Sequence, residues 1–221
     1  MPALNRDGDV CILNIGDDEN RFTLEWTAAM RACLAEVAAM PAPVALVTVA
    51  DGKFWSNGLD LDWLTANLDQ AGDYISEVQG LLADALILPV PTVAAIQGHA
   101  FAAGAMLTLS HDFRTMRSDR GYWCLPEVDI NIPFSVGMDA LIRSKLTPAV
   151  AIEAMTTGLR YGGDAAAASG IVTRSVPGDA VVAAAVEIAG PLAAKAGPTL
   201  GTIKARMFAQ VTDLLAQPTA L

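Results

Sequence analysis

Positive charge is scarce in this sequence. Its 221 residues hold 14 Lys and Arg against 24 Asp and Glu, a formal net charge of −10. That balance excludes broad, sequence-independent nucleic-acid binding, which needs a basic surface. An anionic small ligand remains open, because a few local cations suffice for one. Charged residues of both signs make up only 17% of the chain, and hydrophobic residues 53%. Such an apolar excess can cover a subunit interface as well as a core, although alanine-rich helices also produce it. Cys11, Cys33 and Cys124 are an odd set without a CxxC pair. They fit buried thiols in a reducing compartment, with no disulfide framework and no metal site. The start, MPALNRDGDV, lacks the apolar stretch of a signal peptide. The final PTAL is not a peroxisomal tripeptide, and the SKL at Ser144–Leu146 is internal, where that address is not read. A cytoplasmic location is expected.

Charge is missing altogether from the 26 residues Ala85 to Ser110. That length satisfies a membrane helix, which needs about 20 apolar residues. Its interior does not. Pro89, Pro91, Gln97, Gly98, His99 and Gly104 interrupt it, and no cationic flank orients it. Thr92-Val93 opening a short apolar run, then Gly and small residues, reads as strand, turn and helix. No membrane association is expected.

The same alternation runs through the first half. VCILNI (10–15), VALVTVA (44–50) and TVAAIQ (92–97) are apolar and β-branched, as in strands buried on both faces. Between them, Phe22, Trp26, Met30, Cys33 and Val37 recur with helical period, and YISEVQGLLADALIL forms a further helix before Pro89. FRTMRSD and GYWCLPEV read as short strands. Three helices follow, then a small strand at IVTRSVP and two alanine-rich helices. The pattern predicts an α/β layered fold with mainly parallel strands. No repeat or low-complexity linker marks a second domain.

Two turns carry the functional signal. HAFAAGA and KFWSNGLDLDWL each pass from a strand through small residues to a helix start. Free N–H groups and the helix dipole favour negative charge at such a place. Small residues let a ligand approach the backbone. The plainer reading of either turn alone is tight helix–sheet packing. Together, at the ends of adjacent parallel strands, they could aim two N–H groups at one point, as an oxyanion hole does.

FWSNGLDL, PTVAAIQGHAFAAGAMLTLSHDFRTMRSD, YWCLPEVDINIPF and TGLRYGGDAAAASGIVTRSV, in that order, resemble the enoyl-CoA hydratase/isomerase (crotonase) superfamily. SNGLDL, SHD, RSDRG and PEVDI are most similar to its monofunctional Δ3-Δ2-enoyl-CoA isomerases. The resemblance spans about Cys11 to Val176. It implies a crotonase-like spiral of ββα units over 1–146 and a helical C-terminal region over 147–221. It implies an acyl-CoA substrate, no separate cofactor, and a homotrimer or dimer of trimers. The implied oxyanion donors are the backbone N–H groups of Leu59 and Ala103, and the implied catalytic carboxylate is Glu127. Met106 stands where a hydratase carries another Glu. Hydration needs a water positioned and deprotonated and a proton delivered; moving a double bond needs one base. The absence of the second carboxylate therefore favours an isomerase. The open alternatives are another acyl-CoA enolate reaction, such as hydration or thioester hydrolysis, and a silent acyl-CoA-binding protein.

Around these, Lys53, Phe54, Ser56, Asn57, Gly58, Trp63, Ala102, Gly104 and Met106 are candidates for substrate contact. Phe54 and Trp63 could equally be core. Lys53, Arg21, Lys204 and Arg206 are candidate cations for the coenzyme phosphates, although exposed cations are usually solvated. Asp60 and Asp62 fit helix-start carboxylates. His99 borders the second turn, and a packed side chain is its plainer reading. His111 reads as structural. Asp129 would share the face of Glu127 in a strand and reads as a hydrogen-bonding group.

Overall fold

The computed structural model describes residues 1–218. The C-terminal tripeptide, read above for a targeting signal, lies outside the described residues. Along the chain run β1 (Ala3–Asp7), β2 (Val10–Asn14), β3 (Arg21–Phe22), α1 (Leu24–Ala39), β4 (Ala45–Val49), β5 (Phe54–Ser56), β6 (Gly58–Leu59), α2 (Leu61–Ala66) and α3 (Ala71–Leu86). They are followed by β7 (Thr92–Ile96), β8 (His99–Phe101), α4 (Ala103–Ser110), β9 (Phe113–Arg117), β10 (Trp123–Cys124) and α5 (Glu127–Ile130). The rest comprises α6 (Val136–Lys145), α7 (Pro148–Thr157), α8 (Gly163–Ala168), β11 (Arg174–Val176), α9 (Val181–Ala189), α10 (Pro198–Met207) and α11 (Ala209–Leu215).

A six-stranded sheet has the order β1-β2-β4-β7-β9-β11, with β1 antiparallel and every other pairing parallel. A second, parallel sheet has the order β10-β8-β5. Three turns of the chain thus give one strand to the large sheet, one to the small sheet, and then a helix: β4-β5 before α2, β7-β8 before α4 and β9-β10 before α5, while β3 and β6 pair in a two-stranded sheet of their own. β4 and β7 are buried along their whole length, because both sheet faces are covered. Leu46, Ala94 and Ile96 join the core under α1, α3 and α4. Val47, Val93 and Ala95 pack against Val181, Ala185 and Ala189 of α9. Alanines on α9 allow that helix to lie close on the valine face. Among the described residues, no single helix is long and apolar enough to cross a membrane.

Several local expectations are corrected. MPALNRDGDV contains an edge strand, β1, paired residue for residue with β2. Its exposure hides the alternation that marks a strand. The turns before α2 and α4 include short strands β5, β6 and β8, and α4 starts at Ala103, ahead of AMLTLSHD. Glu127 and Asp129 stand on a short helix, not on a strand. Successive residues of a helix do not alternate between faces, so Asp129 does not share the face of Glu127. Cys33 is half-buried, whereas Cys11 and Cys124 are buried.

The expectation that Lys204 meets a coenzyme phosphate is also corrected. Lys204 is buried. Its Nζ donates to Asp112 Oδ2 at 2.7 Å and to Val90 O at 2.8 Å. Asp112 also accepts from Thr92 N at 2.9 Å, and Asp112 N donates to Thr92 Oγ1. Lys204 therefore ties α10 to the starts of β7 and β9. Removing one partner of a buried ion pair leaves the other uncompensated. Lys204→Met should lower unfolding stability by roughly 2–4 kcal/mol, measured by urea titration.

Candidate functional site

The first turn is held by a set of backbone and side-chain hydrogen bonds. Gly58 has φ +78°, a conformation that L side chains rarely adopt. Its N–H donates to Ser56 Oγ at 3.0 Å, and that hydroxyl donates to Asn20 O at 2.7 Å. Asn20 Nδ2 donates to Trp55 O at 3.0 Å. Beyond the turn, Asp60 N donates to Tyr74 Oη at 2.8 Å, and Tyr74 Oη donates to Phe22 O at 2.8 Å. Asp60 caps α2 through Trp63 N at 3.3 Å, in keeping with its structural reading. Leu59 is thus fixed from both sides.

The second turn meets the first backbone to backbone. A Cβ on Gly58 would fall 2.7 Å from Ala103 N, and one on Gly104 would fall 2.6 Å from Ser56 O. Neither position can carry a side chain without displacing the other turn. Ala102, just before α4, has φ 51° and ψ −126°, a strained conformation for a residue with a Cβ. Two bonds hold it there: its N–H donates to Cys124 O at 3.1 Å and its carbonyl accepts from Met106 N at 3.0 Å. Ala103 is the first residue of α4, a position whose N–H has no acceptor within the helix.

Glu127 comes from the third unit. Pro126 precedes α5, and Asn131 closes it in the left-handed conformation at φ 57°. Only 6% of Glu127 is exposed, and its Oε2 is buried without a hydrogen-bond partner. Burial pushes the carboxyl pKa up from 4.5 to about 7, opposed in part by a backbone hydrogen bond. It reaches a small inner chamber of about 30 Å³, shared with Leu59, Ala103, Met106, Leu64 and Phe134 among others. Among the described residues, Glu127 is the one ionisable side chain on that wall. An outer cleft shares Leu59 and Glu127 with the chamber and adds Phe54, Asn57, Phe101, Ala102 and Arg21.

Of the sequence candidates, Leu59, Ala103, Met106 and Glu127 line the chamber, and Phe54, Asn57 and Ala102 line the cleft. Gly58 and Gly104 shape the junction from behind. Three others, Ser56, Trp63 and Lys53, lie away from these walls. Ser56 is fully buried and spends its hydroxyl on the turn. Trp63 packs against Tyr74 with the rings tilted by 45° at a centroid distance of 5.1 Å. Lys53 Nζ sits 5.0 Å from the centroid of the Phe54 ring. Arg21 borders the cleft, but Glu19 at 2.6 Å and Asp62 at 2.5 Å already neutralise it. Arg206 is exposed. His99 packs against Phe54, Phe101 and Tyr122. His111 is structural: Nε2 lies 2.8 Å from Thr48 Oγ1 and Nδ1 2.9 Å from Leu107 O. Burial lowers its pKa to about 4, so the ring is neutral near pH 7. Sequence reasoning missed Asn20 and Tyr74, whose long-range bonds fix the first turn. It also missed Phe134, which lies in a segment without periodicity.

A family model described as enoyl-CoA hydratase/isomerase matches residues 7–221. The chain belongs to that family. It is 34% identical to enoyl-CoA delta isomerase 2, peroxisomal, of Arabidopsis thaliana over 97% of this chain and 95% of that protein. It is 30% identical to a carnitinyl-CoA dehydratase of Citrobacter koseri over 73% of this chain and 61% of that protein. A solved structure of a probable enoyl-CoA hydratase from Mycobacterium tuberculosis superposes with a TM-score of 0.88 at 24% identity, covering 97% of this chain and 91% of the other. An enoyl-CoA hydratase/isomerase family protein from Pseudomonas syringae gives 0.89 at 22% identity, over 97% and 93%. These likenesses show the fold, the crotonase-like ββα spiral that the sequence motifs imply.

The buried carboxyl gives the family member a pH-dependent stability. Below pH 4.5, Glu127 is protonated folded and unfolded, and contributes no difference. Between pH 4.5 and about 7 the unfolded chain loses this proton while the folded chain keeps it, so stability falls as pH rises. Above about 7 the loss is complete, at most about 3 kcal/mol. Glu127→Gln should match the parent near pH 4.5 and exceed it at pH 8, as read by denaturant unfolding at both pH values.

Proposed function

We propose that this protein is a Δ3-Δ2-enoyl-CoA isomerase in which Glu127 alone carries the proton. The observation behind this reading is a single buried carboxyl, its Oε2 without a hydrogen-bond partner, in a largely apolar chamber beside two backbone turns. Ionised Glu127 takes a proton from C2 of the 3-enoyl thioester. The C–H electron pair moves towards the carbonyl, giving a dienolate whose oxygen accepts from Leu59 N–H and Ala103 N–H. Such donors stabilise charge that develops in the transition state. Glu127 then returns the proton to C4 as the electrons flow back. The double bond now lies between C2 and C3, and the carboxylate is regenerated. The cycle consumes no water and needs no cofactor beyond the coenzyme A of the substrate. A carboxyl of pKa about 7 suits both halves, since it is a competent base and a competent acid near neutrality.

Met106 supports isomerisation over hydration. It lines the chamber and can neither orient nor deprotonate water. The likeness to the Arabidopsis isomerase over nearly the whole chain points the same way. Exposed apolar side chains on the C-terminal half, including Val136 and Ile152, support the reading of a homotrimer or dimer of trimers.

The test is conversion of 3-enoyl-CoA to 2-enoyl-CoA by the purified protein. Glu127→Gln should reduce kcat by about a hundredfold or more. In the parent, kcat/KM should rise with pH up to about 7 and then level off, because the base must be ionised. Unchanged turnover in the variant would remove Glu127 from the mechanism. Coenzyme A thioester binding without turnover in the parent would favour a silent binding protein.

A further inference from the structure

A buried amide stands one layer behind the chamber. α3 packs Ile75, Val78, Leu82 and Leu86 into the core, and among them is Gln79, 1% exposed. A buried amide costs free energy unless its polar atoms are bonded. Gln79 is bonded at both ends. Its Oε1 accepts from Ser135 Oγ at 2.5 Å, and its Nε2 donates to Gln217 O at 3.3 Å. The amide thus joins three segments distant in sequence: α3, the stretch before α6, and the residues that follow α11. An apolar side chain would pack this face of α3 as well, so the amide is there for its bonds.

The middle segment is a wall of the chamber. Ile132, Pro133, Phe134, Ser135 and Met138 all line it. At one end of this wall, Ile132 N donates to Glu127 O at 3.1 Å. Pro133 has no N–H to donate. At the other end, Ser135 uses one hydroxyl twice. It accepts from Met138 N at 3.2 Å, capping α6, and donates to Gln79. The cap holds Ser135 only to its own helix, whereas the bond to Gln79 ties the wall to α3. Glu127 Oε2, buried without a partner, depends on that wall for its dry setting.

We propose that Gln79 is a positioning residue for the proton transfer: through Ser135 it holds the chamber wall in place and keeps water from Glu127. It touches neither the substrate nor the reacting atoms. This rests on the reading of Glu127 as the base. A released wall lets water reach the carboxylate and stabilise its charged form, so the group ionises at lower pH and becomes a weaker base. The titratable groups around Glu127 among the described residues are Asp129 on the same helix, the Cys124 thiol on β10, and Arg21 and Asp62 of the outer cleft, which pair with each other. Replacing Gln79 or Ser135 by an uncharged side chain alters none of them.

The test follows the Glu127 carboxyl by 13C NMR in glutamate-labelled protein, the signal being identified by its loss in Glu127→Gln. Gln79→Met, similar in shape, removes both bonds. Ser135→Ala removes the shared bond from the other side, and decides the matter if Gln79→Met does not fold. Lys204→Met, destabilising at a different place, is the control. In the parent the carboxyl should titrate at about pH 7. In Gln79→Met and Ser135→Ala the midpoint should fall by about one pH unit or more, and the pH midpoint of kcat/KM should fall with it. Lys204→Met should keep the parent's midpoint. An unchanged midpoint in either folded variant, an equal fall in Lys204→Met, or a parent midpoint near 4.5 would overturn the proposal. The expected NMR shifts without isomerase turnover in the parent would keep the role of Gln79 in the wall and remove the isomerase.

Discussion

Two backbones touch at the centre of this molecule with no side chain between them. Gly58 lies against the start of α4, and Gly104 lies against Ser56. That approach fixes where Leu59 and Ala103 present their N–H groups. It also accounts for features that otherwise look unrelated. Ala102 holds a strained conformation because α4 must begin where β8 ends. Asn20 and Tyr74 reach across the chain to pin the first turn. α4 is buried along its whole length, which allows its first turn to sit inside the protein.

Electrostatics at the site follow from the same burial. A chamber walled by hydrocarbon has little to offer a carboxylate, so Glu127 holds its proton up to about pH 7. Elsewhere the fold takes care to pair its buried charges. Lys204 meets Asp112, and Arg114 gives its guanidinium to the carbonyls of Ile171, Thr108 and His111. Glu127 Oε2 is left without such a partner. A group kept unpaired at a stability cost, in a chamber, is the pattern of a functional carboxyl.

Much of this was legible in the sequence, for identifiable reasons. VALVTVA and TVAAIQ are uniformly apolar because helices cover both faces of the large sheet, so β4 and β7 were readable. The two small-residue turns were readable because close backbone approach admits few residue types. Glu127 was visible through its resemblance to a family motif, but its setting was not. Glu127, Val128, Asp129 and Ile130 alternate polar and apolar like a strand, yet they form a helical turn closed by Asn131. Lys204 looked like a surface cation because the sequence around it does not show Asp112, 92 residues away. Ser56 looked like a ligand contact because local sequence cannot show that Asn20 O takes its hydroxyl.

The central claim is that one carboxyl moves one proton from C2 to C4. Turnover of 3-enoyl-CoA carrying deuterium at C2, in ordinary water, tests it directly. Mass spectrometry and NMR of the 2-enoyl product should find part of that deuterium at C4, since the chamber shields Glu127 from exchange between the two steps. A product whose C4 carries solvent hydrogen alone would contradict the single-base account.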